Sequence, residues 1–286
     1  MSASHNGAKP YYYVPQPSHW PITGSCALLL MAFGATFWLN SYAAGPWLVL
    51  VGFGVLLTML FGWFGRVIDE SEHHLYNHRV DESFRWGMGW FIFSEVMFFA
   101  AFFGALFYVR SVSVPDLGGP AQKLLWPDFT AGWPTNGPYL KELFSPMGAI
   151  GIPLLNTILL VSSGGTLTVA HYALKDGKRG ALKLWLFFTI VLGLTFLGFQ
   201  AYEYTHAYSE LNLKLSTGVY GSTFFMLTGF HGFHVTIGAI MLMVMLGRAF
   251  RGHFTADHHF AFEAAAWYWH FVDVVWLLLF ILVYWL

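Results

Sequence analysis

Residues 84–110 read FRWGMGWFIFSEVMFFAAFFGALFYVR, and between Arg85 and Arg110 the only charged side chain is Glu95. A helix rises 1.5 Å per residue and needs about 20 apolar residues to cross the hydrocarbon of a bilayer, so this stretch is long enough to span one. Outward from it the same pattern recurs, giving spans near 22–41, 46–65, 84–110, 148–171, 183–206, 217–247 and 262–285. Of the 286 residues, 56% are hydrophobic and only 10% are charged. An ordinary soluble domain carries roughly 25% charged residues. The fold class is therefore all-α, a polytopic membrane protein of seven transmembrane helices.

Lys and Arg accumulate in loops on the cytoplasmic side of a membrane. One side collects Lys9, Arg66, Arg79, Arg85, Lys175, Lys178, Arg179, Lys183, Arg248 and Arg251, whereas the other has Arg110, Lys123, Lys141 and Lys214. The N-terminus is expected inside and Leu286 outside. The first span lacks a basic leader and a small-residue cleavage site, and Tyr11, Tyr12, Tyr13 and Trp20 before it form an aromatic interfacial anchor, so it is expected to be retained. The organisation expected is an N-terminal cytoplasmic segment 1–21, a two-helix bundle 22–70 and a five-helix bundle 71–286. A Pro/Gly-rich external loop is expected at about 111–147, and the polar stretch 66–83 reads as the loop after the second span. The lone Cys26 excludes an intrachain disulfide and a thiolate metal cluster. With net charge −1 and no long basic run, nucleic acid is not an expected partner.

Glu95 is the first candidate for chemistry. A charge left at mid-span costs about 2.5–3.5 kcal/mol, so the carboxyl should be neutral or hydrogen-bonded to another helix. It serves either as a proton-exchanging or headgroup-ordering group or as a plain interhelical bond. His231 and His234 lie three residues apart on one face of the sixth span, and either could partner Glu95. With His171 and His270 they also keep open a haem site between facing helices. Glu263, His270 and Asp273, spaced seven and three apart, share a stripe of the last span and read as one packed polar network or a proton relay. A carboxylate metal site is not expected in this stripe, because Glu263 is followed three residues later by Ala266 and so forms no Glu-x-x-His unit. Arg248, Arg251 and His253 close the sixth span where lipid phosphates would lie.

Several long runs carry a resemblance: Trp90–Phe103 around Glu95, Pro153-Leu154-Leu155-Asn156-Thr157, Gly218–Phe225, Thr228–His234 and Phe262–Trp276. These resemble subunit III of the haem-copper cytochrome c oxidases. The resemblance implies a two-helix and a five-helix bundle around a V-shaped cleft filled with phospholipid. It implies a subunit with no redox centre and no metal, haem and copper residing in partner subunits. The partners it implies are subunit I as the main contact, subunit II, phospholipids, and cytochrome c as donor to the complex, all in a bacterial inner membrane. Such a subunit supports proton uptake, protects the active site and guides oxygen.

Residue by residue, Glu95 matches the family's carbodiimide-reactive carboxylate, and Arg248 and His253 match positions that contact lipid headgroups. Arg251 stands where relatives carry Lys. Trp63 matches the first residue of a Trp-Trp-Arg-Asp-Val-Ile-Arg-Glu pattern, while Phe64, Gly65 and Asp69 depart from it. Which of His73, His74 and His78 takes the usual histidine's place stays open. Two leading helices favour the cytochrome c branch over related quinol oxidases. Two other functions remain open from the residues themselves: a stand-alone bis-histidine membrane cytochrome using His231, His234 and His270, and a proton-coupled transporter using Glu95.

Overall fold

The computed structural model describes residues 13–140 and 143–285. Lys9, Tyr11, Tyr12, Lys141 and Leu286, used above for topology and anchoring, lie outside the described residues. Seven long helices follow one another: α1 Trp20–Leu39, α2 Gly45–Glu72, α3 His78–Tyr108, α4 Ile152–Lys175, α5 Arg179–Ser209, α6 Gly218–Arg251 and α7 Phe260–Leu279. A π turn at Val109–Ser113 and a short α turn at Val114–Leu117 prolong α3, and a π turn at Phe280–Trp285 prolongs α7. Each of the seven is long and apolar enough to cross a membrane.

The ends of the helices follow from local chemistry. A proline at the first turn starts α1, α2 and α4, where its missing N–H costs nothing. Gly252, with φ 77°, ends α6 in the left-handed conformation that glycine takes without strain.

Two expected boundaries are corrected. The stretch 66–83 is mostly helix, with only residues 73–77 between α2 and α3. Polarity marks where the helix leaves the hydrocarbon, not where it ends. Arg66 Nε lies 3.2 Å from Glu70 Oε1, and His73 and His78 make i,i+4 pairs with Asp69 and Glu82, each of which supports a helical turn in water. Asn77 Oδ1 then accepts the N–H of Val80 at 3.0 Å, a cap that starts α3. The Pro/Gly-rich excursion likewise begins after Leu117 rather than near 111, because Pro115 sits in the first turn of Val114–Leu117 where a helix tolerates it.

The chain forms two compact units, 1–84 and 85–286. In the first, α1 and α2 pack through small residues: a Cβ at Gly34 would lie 2.6 Å from the backbone N of Val49, and one at Gly52 would lie 2.8 Å from Met31 Cγ. Close backbone approach of this kind is how helices gain dispersion contact in lipid, where no hydrophobic effect drives them together.

The second unit centres on Trp269, which is fully buried. Its indole Nε1–H donates to Ser163 Oγ on α4 at 2.9 Å. Its ring fills the space a side chain would need at Gly193 on α5 (2.6 Å) and Gly238 on α6 (2.9 Å). One side chain of α7 thus touches three other helices. Trp276, also fully buried, repeats the arrangement one level along, donating to Thr157 Oγ1 at 3.0 Å and meeting Phe196 edge-on at 4.7 Å.

Candidate functional site

Glu95 lies on α3 and His234 on α6, and Glu95 Oε2 is 2.8 Å from His234 Nε2. The other ring nitrogen, Nδ1, is 2.6 Å from the Phe230 carbonyl. A carbonyl only accepts, so Nδ1 carries a hydrogen and donates it. A neutral imidazole then has a bare Nε2, and the bond to Glu95 needs one further proton between the two atoms. The pair is therefore either carboxylic acid and imidazole or carboxylate and imidazolium, with no net charge in either form. Phe99 meets the His234 ring edge-on at 5.0 Å and Tyr268 stacks on it at 6.4 Å. The Glu95 side chain keeps 20% of its surface exposed, enough for an apolar reagent to reach it from one side.

His231 does not meet Glu95. Three residues along a helix amount to about 300° of turn, which aims His231 at α7, where its Nε2–H donates to the Val272 carbonyl at 3.2 Å. It is fully buried between Phe196 and Trp276. His270 Nδ1 lies 3.5 Å from Asp273 Oδ2, and its Nε2 lies 3.5 Å from Thr168 Oγ1. Asp273 approaches α4 over Gly164, where a Cβ would collide with its carboxylate. Of the four imidazoles read as haem candidates, His231, His234 and His270 thus hold protein groups, whereas His171 Nε2 is buried with no hydrogen-bond partner among the described residues.

Glu263 separates from the expected single network. It pairs with Arg85 NH1 at 2.5 Å, joining the start of α7 to α3, while Arg85 also lies over the Phe260 ring at 5.3 Å. Glu263 and His270 are two turns apart: Glu263 pairs with α3, while His270 lies between Asp273 of its own helix and Thr168 of α4. Arg248 is 8% exposed, with its guanidinium 4.8 Å over the Phe254 ring, whereas Arg251 is exposed and His253 half-buried. Trp63, in the first unit, is 43% exposed and lines a cleft of about 170 Å³ with residues 15–20, Arg66, Val67 and Glu70. Behind that cleft Tyr76 donates to Glu70 Oε2 at 2.9 Å. Burial and this bond push the Tyr76 hydroxyl well above its usual range.

Sequence reasoning passed over Glu203, the most buried acid among the described residues at 1% exposure, which accepts from the Tyr284 hydroxyl at 2.6 Å. Its signal was present: Glu203 follows Gln200 inside the apolar span 183–206. It reads as a span end only because His206 and Glu210 come soon after.

The family model described as Cytochrome c oxidase subunit III matches residues 9–286. This chain belongs to that family. Among curated relatives it is 43% identical to cytochrome c oxidase subunit 3 of Hippopotamus amphibius over 279 residues, covering 96% of each chain. It is 44% identical to that of Latimeria chalumnae and 43% identical to that of Mus musculus, each over 277 residues and 96% of both chains. As a member of the subunit III family it belongs with a membrane oxidoreductase complex and with other oxidase subunits. Glu95, His231, His234, Glu263, His270 and Asp273 all fall inside the matched region, as do Trp63, Arg248, Arg251 and His253.

Proposed function

We propose that this chain is a non-redox accessory subunit of a haem-copper terminal oxidase, stabilising the catalytic subunit I and supporting its proton uptake, with haem and copper held by partner subunits. The observation that carries the reading is how its intramembrane acids are used. Glu95 bonds His234, Glu203 bonds Tyr284, Asp273 faces His270 and Glu263 pairs with Arg85, in each case with a group of this chain. Acids used in this way hold helices in place and suit a scaffold better than a carrier that must release its cargo.

Phospholipid binding belongs to the same proposal. Exposed Trp63 beside Arg66 in the cleft of the first unit fits an interfacial headgroup, and exposed Arg251 at the end of α6 fits a phosphate. Arg248 would take part by fixing the end of α6 against Phe254. The Lys and Arg distribution supports an N-terminus on the inner, positively charged side; placing the chain in a bacterial inner membrane, with the C-terminus periplasmic, is part of the proposal. Oxygen guidance along the lipid and cytochrome c as donor belong to the same proposal, with the family membership as their support.

Purification of the respiratory membranes of the host should recover this chain with haem-copper subunits in constant proportion. Its consistent absence from haem-containing fractions would overturn the reading.

A further inference from the structure

The end of the second unit near Tyr284 holds buried polar atoms that take no part in the role proposed for Glu95 and the lipid contacts. Asn156 on α4 is completely buried, and neither its Oδ1 nor its Nδ2 has a hydrogen-bond partner among the described residues. Gln200 on α5 is 5% exposed; its Nε2–H donates to the Thr228 carbonyl at 2.8 Å, but its Oε1 has no partner there. Glu203 takes the Tyr284 hydroxyl on Oε1, and its Oε2 likewise has none.

Asn156 and Gln200 sit at one depth, with Glu203 about one helical turn further along. The Thr166 and Thr189 hydroxyls touch at 2.8 Å and so register α4 against α5. Ten residues back along α4 is Asn156 and eleven residues on along α5 is Gln200, about 15 and 16 Å from that contact. A second path closes the ring. Trp276 donates to Thr157, the neighbour of Asn156, and packs at 5.8 Å on Tyr284, whose hydroxyl reaches Glu203 one turn beyond Gln200.

We propose that Asn156, Gln200 and Glu203 enclose a buried site for ordered water, which completes their hydrogen bonding and joins α4 to α5. Water is the ligand whose chemistry fits. A buried water makes two to four hydrogen bonds to groups that otherwise lack partners, giving and receiving in the same place. The Asn156 Nδ2 supplies a donor, while its Oδ1 and the two oxygens on α5 supply acceptors. A bare cation would meet that amide donor head-on. The Tyr204 hydroxyl is engaged by Thr228 at 2.7 Å and His206 pairs with Glu210 at 3.2 Å, so neither occupies the site in place of water. The inference rests on the packing of α4, α5 and α7, and stands or falls separately from the role given to Glu95.

The test is a density map of the intact complex at a resolution where waters appear. A peak within hydrogen-bond distance of Glu203 Oε2 and of the Asn156 or Gln200 amide is expected, with loss of that peak in Asn156→Leu. Three results would overturn the proposal: no peak in the unaltered protein, a peak with the short, many-oxygen coordination of a cation, or a peak unchanged in Asn156→Leu. If Asn156→Leu fails to assemble, the map of the unaltered complex decides alone.

Discussion

The two units are made from equally apolar helices and hold together differently. Only 11% of the most apolar window of α1 and of α2 is buried within the chain, against 44% in α6 and 50% in α7. Between Trp20 and Gly65 there is no Asp, Glu, Lys, Arg or His, whereas α4–α7 and the middle of α3 carry Glu95, Glu203, His231, His234, Glu263, His270 and Asp273. Apolar composition determines that a segment enters the bilayer. The polar residues and glycines inside it determine what it packs against once there. In the first unit the two spans meet through glycine and methionine contacts, its hydrogen bonds to Glu70 lie at the polar end of α2, and most side chains of the spans are exposed.

The largest test of this difference is Trp269→Ala. Removing a ring held by three helices should cost about 3–5 kcal/mol, read as a lower SDS concentration for unfolding the second unit in the purified complex. Met59→Ala in the first unit should cost less, about 2 kcal/mol, because Met59 is a smaller side chain packed against Gly24 of α1; equal losses would break the comparison. Next comes Gly238→Leu, which forces a side chain into the space of the Trp269 ring and should cost about 1–3 kcal/mol in the same titration.

Smaller again is Glu95→Gln, expected to cost about 1 kcal/mol or less, the usual scale of one interhelical bond in a membrane, while abolishing carbodiimide labelling of this subunit. Failure of that variant to assemble would raise Glu95 from a local bond to a structural necessity. Comparable in size is Glu70→Gln in the first unit, where a buried carboxylate accepting from Tyr76 and Arg66 loses its charge but keeps an acceptor; about 1 kcal/mol is expected, with altered tyrosine fluorescence from Tyr76 as its local sign.

Much of this architecture was legible beforehand. All seven spans were readable because a lipid core imposes one length and one polarity on every crossing. Their ends were less so: α2 outlives its apolar stretch through Glu72 because i,i+4 pairs and water sustain a helix that hydropathy no longer marks. Glu95 was legible as an anomaly, and its partner was narrowed to two histidines. Choosing His234 over His231 required knowing how α6 is rotated, which a periodic pattern of mostly apolar residues does not encode. Glu263 was grouped with His270 and Asp273 because spacing along a helix is visible in sequence, whereas Arg85, 178 residues away, is not.

Trp269 has one more consequence, in the order of synthesis. It belongs to α7, whereas the gaps it fills, at Gly193 and Gly238, belong to helices that leave the ribosome earlier. Until α7 is inserted those two gaps stay unfilled, although Thr228 already joins α6 to Gln200 and Tyr204 of α5, so the bundle is expected to be looser and more open to the proteases that clear unfinished membrane chains. A single late tryptophan thus makes compaction report that translation has reached the final helix, and a chain arrested before it should be short-lived in pulse-chase labelling.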